Sequence, residues 1–253
     1  MKRSLTTICV TLFILLGSAG MSGSTEPIKD YCLLGTKHSH SPIAGQCSDA
    51  YESGDYATAL REWKPLAEKG LANAQHNLGQ IYRRVQRAPQ GYKTAVKWYR
   101  LAAKQGNAAA QSNLGWMYDL GKGVPKNYKT AVKWYRLAAK QGLARAQSNL
   151  GFMYDLEKGV PKNYKTAVKW YRLAAKQGDA IAQSNLGTMY NNGQGVPKDY
   201  VRAHMWFNIA AKYGNNKNAS GNRDIVTKQM TTSQLETAQR LARECVRKKY
   251  KGC

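Results

Sequence analysis

The fifteen residues YKTAVKWYRLAAKQG begin at Tyr92, again at Tyr128 and again at Tyr164, without a single change. A diverged copy starts at Tyr200 (YVRAHMWFNIAAKYG) and a more distant one at Tyr56 (YATALREWKPLAEKG), so all five starts stand 36 residues apart. A second segment alternates with the first at the same period. It reads AQHNLGQIY from Ala74, AQSNLGWMY from Ala110, AQSNLGFMY from Ala146 and AQSNLGTMY from Ala182. A fixed period of this length restricts the chain to a stack of supersecondary units. No unit can bury its apolar faces alone, so each must be completed by its neighbours.

Both segments, called YK and AQ below, read as helices. In the AQ segment, Ala110, Leu114, Met117 and Tyr118 fall at i, i+4, i+7 and i+8 and make one apolar face. Gly115, Gly151 and Gly187 sit inside that helix against its propensity, which implies close approach of a partner helix. In the YK segment Ala131, Tyr135 and Ala138 share a face, with Val132 and Trp134 beside it, a mixture of small and aromatic residues suited to helix-on-helix packing. Gly106, Gly142 and Gly178 are placed as C-terminal stops, and GKGVPKN from Gly121 reads as a Gly/Pro connector.

These residues closely resemble the Sel-one-like repeat (SLR), a branch of the tetratricopeptide-like family. Its pattern is met at Ala110, Leu114, Gly115, Tyr118, Gly121, Gly123, Val124, Tyr128, Ala131, Trp134, Tyr135, Ala138, Ala139 and Gly142. The resemblance covers residues 49–214 and implies an all-α fold, an alpha-alpha superhelix: a right-handed solenoid of antiparallel helix pairs. Three departures stand out. The first connector, RRVQRAPQG, lacks the G-x-G-V element; Glu157 replaces the first Gly of the third; and Pro65 falls inside the first YK segment, where a kink is expected.

The ends differ from the repeats. Lys2 and Arg3, an apolar run from Ile8 to Leu16, and small residues at Gly17–Gly20 have the layout of a cleavable secretory signal, so residues 1–20 are expected to be removed and the chain exported, to a periplasm or beyond the cell. Export makes disulfides the default state of the remaining cysteines. Cys32, Cys47, Cys245 and Cys253 allow three pairings, of which Cys32–Cys47 and Cys245–Cys253 are preferred because each pair is close in sequence at one end of the chain. Residues 21–48 read as an irregular N-terminal cap and residues 215–253 as closing helices. The last of these is opened by a capping box, either Ser233 with Glu236 or Thr231 with Gln234.

Catalysis has little to stand on. The sequence has no Gly-rich phosphate loop, no nucleophile elbow and no metal-binding His pair on a helix, and His76 and His204 lie in different repeats without an obvious reactive partner. His38 and His40, between Cys32 and Cys47, depart from usual zinc spacings, so no metal and no cofactor is expected. Cysteine-rich members of the resembled family have been linked to beta-lactam binding or hydrolysis and carry a Cys pair in each repeat. The repeats here contain no Cys, so an envelope beta-lactam hydrolase stands as the least favoured of three readings, behind the two surfaces below.

Two surfaces remain. The AQ segments differ from one another at four columns: Asn73/Ala109/Arg145/Ile181, His76/Ser112/Ser148/Ser184, Gln80/Trp116/Phe152/Thr188 and Arg83/Asp119/Asp155/Asn191. Spaced 3, 4 and 3 along the helix, they read as one non-core face. The resemblance implies that this face lines the concave side, where an extended segment of a partner protein would lie. Trp116 and Phe152 either anchor that partner or pack against the following repeat. The alternative surface is basic. The net charge is +24, from 39 basic and 15 acidic residues. Lys93, Lys97, Arg100 and Lys104 form a helical stripe that recurs as Lys129, Lys133, Arg136 and Lys140 and as Lys165, Lys169, Arg172 and Lys176. On the convex side these stripes would make a positive sheet for an anionic membrane, a lipopolysaccharide or a glycan. Nucleic acid is the least expected partner of an exported chain. The reading is an exported protein-interaction scaffold that is not an enzyme.

Overall fold

The computed structural model describes residues 50–85, 89–214 and 216–253. The proposed signal and the whole N-terminal cap, with Cys32, Cys47, His38 and His40, lie outside the described residues. Every regular element described is helical. After a helical turn at residues 50–53 come α1 (Tyr56–Glu68), α2 (Ala72–Val85), α3 (Pro89–Lys104), α4 (Ala108–Leu120), α5 (Tyr128–Lys140) and α6 (Ala144–Asp155). They are followed by α7 (Tyr164–Ala175), α8 (Ala180–Asn192), α9 (Tyr200–Gly214), α10 (Lys217–Thr227) and α11 (Thr232–Arg247). The odd helices α1 to α9 are the YK segments, and α2, α4, α6 and α8 are the AQ segments.

Local chemistry sets the boundaries. Asn127 caps α5, its Oδ1 accepting from the Thr130 N–H at 2.8 Å, and Asn163 caps α7 in the same way. The Asn127 N–H donates to the Tyr118 carbonyl at 2.9 Å, which ties the connector back onto α4. Gly106, Gly142 and Gly178 take the left-handed conformation that ends a helix, with φ near 90°. α1 runs through Pro65, in its last turn, to Glu68. Of the two capping boxes the sequence offers for α11, the one formed is Thr231 with Gln234.

Packing explains the recurrent helical glycines. A Cβ on Gly79, Gly115, Gly151 or Gly187 would overlap the ring of Tyr99, Tyr135, Tyr171 or Phe207 in the next YK helix. All four rings are at most 2% exposed. Each AQ helix thus seats an aromatic ring directly on its backbone. The hydrophobic core is a row of clusters, one after another along the array, rather than one centre. Half-buried Trp98, Trp134 and Trp170 each pack back onto the cluster of the preceding repeat.

Successive YK helices are stitched at both ends. At their C-terminal ends, Gln105 Nε2 donates to the Gly70 carbonyl and to Gln75 Oε1, both at 2.8 Å. Gln141 makes the same pair of bonds to Gly106 and Gln111, and Gln177 to Gly142 and Gln147. Gln75, Gln111, Gln147 and Gln183 are buried, and each donates in turn to an alanine carbonyl eight residues earlier. At the opposite ends, Gly123, Gly159 and Gly195 lie against the backbone of Tyr92, Tyr128 and Tyr164 so closely that a Cβ would overlap it. The array closes where α10 and α11 cover α9, burying Ala219, Val226, Ala242 and Cys245 against Trp206 and Phe207. Cys245 and Cys253 are joined by a disulfide, and the turn between them sets Tyr250 beside Gly178.

Candidate functional site

Each AQ helix is flanked on two sides, by its own YK helix and by the preceding one, so its free strip is narrow. Ser112 and Ser148 are 4% and 3% exposed and do not belong to a binding surface. The sequence reading placed them there because it treated the helix as packed on one side only. The strip that reaches solvent is rotated by about one position and runs through Ala109, Asn113, Trp116 and Leu120 on α4. Leu120 and Leu156, 47% and 48% exposed, continue it on α4 and just past α6. Their column differs between copies (Arg84, Leu120, Leu156, Asn192), a signal legible in the sequence but passed over beside the connectors.

The remaining candidates except Arg145 are half-buried, and several touch across repeats. His76 on α2 accepts at Nε2 from Asn113 Nδ2 on α4 (3.1 Å) and donates from Nδ1 to Asn77 Oδ1 (3.2 Å), a pairing that fits the neutral ring. Burial holds its pKa below the ordinary histidine value, with the Arg83 charge acting in the same direction. Arg83 donates to Gln80 Oε1 at 3.2 Å and sits 5.6 Å from the centre of the Trp116 ring. Trp116 packs against the core clusters of two successive repeats. Phe152 packs against the C-terminal cluster, with the Lys158 ammonium 4.7 Å from its ring centre. Trp116 is therefore a wedge between units as well as a surface group, and Phe152 is anchored on the core beneath it.

Asp119 and Asp155 stand at the inner edge of the strip. Burial raises the pKa of both; Lys158 and Lys126 oppose the rise at Asp119, while the Tyr171 hydroxyl, donating at 3.3 Å, and Lys162 oppose it at Asp155. Arg145 is exposed at the start of α6, and Thr188 and Asn191 are half-buried on α8. Among the described residues no group of three or more His, Cys, Asp or Glu could hold a metal ion.

The basic stripes are at the surface. All twelve cations are exposed except Arg136, which is half-buried. The arginines are engaged: Arg100, Arg136 and Arg172 donate to the hydroxyls of Tyr118, Tyr154 and Tyr190 at 3.1, 3.0 and 2.8 Å. Those tyrosines and their three arginines form a second stitch, which sequence patterning did not single out.

The family comparison matches this architecture unit by unit. The Sel1 repeat matches residues 72–107, 108–143, 144–179 and 180–215, each an AQ helix followed by a YK helix. The chain belongs to the Sel1-repeat family. Helix α1 is an additional YK copy ahead of the first matched unit. No curated protein matches the chain. Among solved structures, the Sel1 repeat protein from Oxalobacter formigenes is 31% identical, with a TM-score of 0.67 over 81% of this chain and 86% of its own. A protective antigen present in uropathogenic Escherichia coli strains, displaying an SLR fold, is 32% identical, with a TM-score of 0.53 over 80% of this chain and 53% of its own. This chain thus spans about half the length of that relative. Sel1-repeat proteins mediate protein–protein interaction in general.

Proposed function

We propose that this Sel1-repeat chain is an exported scaffold that holds a segment of a partner protein on the strip formed by its AQ helices, on the concave side of the solenoid. The observation that carries the reading is the contrast between core and strip. The buried Ala, Gln, Leu and Gly of the AQ helices are the same in every copy, while the strip changes from His76, Gln80 and Arg83 through Trp116, Leu120 and Asp119 to Phe152, Leu156 and Asp155. An apolar centre (Trp116, Leu120, Phe152, Leu156) with a charged rim (Asp119, Arg145, Asp155) is the composition of a protein-recognition patch. A binding role rather than catalysis agrees with the general behaviour of the family. Export rests on the N-terminal pattern and draws support from the antigenic role of the uropathogenic relative.

Leu120→Ser/Leu156→Ser tests this reading better than truncating Trp116 and Phe152, because the two leucines are half exposed and the aromatics pack against the core. The full chain is used to capture partners from envelope and host extracts. The double variant is expected to lose a partner held by the parent, while Lys97→Gln/Lys133→Gln keeps it. Retention by the leucine variant and loss by the lysine variant would overturn the assignment.

A further inference from the structure

We propose that the outer face of α3, α5 and α7 is a docking surface for an anionic lipid bilayer. These three helices contain no Asp or Glu. Among the described residues none of their twelve stripe cations forms an ion pair; the five ion pairs lie elsewhere. The three arginines are oriented by tyrosine hydroxyls and keep their charge, and the other nine cations are lysines. A lysine ammonium is a compact point charge that meets lipid phosphates without the planar fork geometry arginine favours.

The face is one surface rather than three separate stripes. The glutamine bonds at one end and the connector glycines at the other hold α3, α5 and α7 side by side and parallel, so each stripe is repeated at the same height on its neighbour.

What distinguishes a bilayer from a soluble polyanion is the apolar row. Leu101, Leu137 and Leu173, at 45%, 47% and 40% exposure, stand among these lysines on successive helices. On α7, Lys165, Val168, Lys169, Arg172, Leu173 and Lys176 surround one open depression of about 410 Å³, which places the leucine and the cations on the same face. A sulfated or phosphorylated polymer would use the cations alone. Exposed leucines ringed by lysines fit the boundary between headgroups and acyl chains, where both kinds of contact are favourable. The contact lies on the surface: among the described residues no helix is long and apolar enough to cross a membrane.

The test is co-sedimentation of the full chain with vesicles of phosphatidylglycerol and phosphatidylcholine at physiological salt, against phosphatidylcholine alone and against soluble heparin. Binding to the anionic vesicles and not to the neutral ones is expected, with heparin held through the cations alone. Lys97→Gln/Lys133→Gln/Lys169→Gln should weaken it by about 100-fold, and the matching Lys→Arg triple should retain it. Leu101→Ser/Leu137→Ser/Leu173→Ser should weaken vesicle binding by about 10-fold and leave heparin binding unchanged. Parent and variants share residues 1–49, so any vesicle affinity of the apolar N-terminal run cancels in the comparison, and matched thermal melts confirm folding. Equal binding to neutral and anionic vesicles, or vesicle binding unaffected by the leucine triple, would overturn the proposal; in the second case the face binds soluble polyanions instead.

Discussion

Glu157 stands where Gly121 and Gly193 stand in the neighbouring connectors, and it adopts the same left-handed conformation, with φ of 58° against 68° and 69°. A side chain with a Cβ is disfavoured there by about 1–2 kcal/mol, offset in part by the greater freedom glycine loses on folding. Glu157→Gly is therefore expected to stabilise the chain by about 0.5–1 kcal/mol, read as a shift of the urea midpoint. His204 provides a second residue-level test. It is 3% exposed, its Nδ1 has no hydrogen-bond partner, and burial, aided by the charge of Arg223 and opposed by that of Asp224, depresses its pKa. His76 is shifted the same way. A histidine kept neutral in the fold takes up its proton first in the unfolded chain. Its contribution to stability is complete above the unfolded value of about 6.5 and is lost as the pH falls below it. Thermal melts between about pH 7.5 and pH 5 should show stability declining with acid, and His204→Gln should flatten the slope. An unchanged slope in the variant would assign the decline elsewhere.

At the scale of the helix, the seat of each aromatic ring on a glycine makes Gly115→Ala informative. Alanine is the better helix former, so an isolated α4 would gain from the change. In the array its Cβ meets the buried Tyr135 ring, and a net loss of about 1–3 kcal/mol is expected; stabilisation would show that α4 and α5 are not in this contact. The glycine–partner contact was legible in the sequence, because an identical glycine recurring against propensity requires a close neighbour. The AQ surface was legible only in part. Ser112 and Ser148 stand in a column that varies between copies, but they face the second flanking helix and not solvent. A serine is small enough to be covered by two flanking helices, whereas His76 in the same column emerges. The glutamine bonds were not legible at all: Gln105, Gln141 and Gln177 are largely exposed residues beyond their helices, and their role depends on partners 30 and 35 residues away.

For the molecule as a whole, identity of the units implies that an in-phase excision should be tolerated. Removing residues 128–163 joins Asn127 to Tyr164 and restores the local sequence around the cap. The shortened chain is expected to unfold cooperatively, with its melting temperature lowered by roughly 5–10 °C for the lost interface. An excision of residues 128–145, which breaks the period, should abolish the cooperative transition; circular dichroism melts separate the two cases. The same identity raises a question that single-core proteins do not face, because a stack of like units has no inherent length. The glutamine bonds answer it in the manner of a growing polymer. Each glutamine, with the glycine carbonyl and buried glutamine it reaches, is one propagation step from unit to unit. At the next position, the chain carries Tyr213 in place of glutamine, and Gln183 receives no such bond among the described residues. Growth from that end is terminated chemically before α10 and α11 block it sterically. Tyr213→Gln would remove the chemical stop and leave the steric one in place.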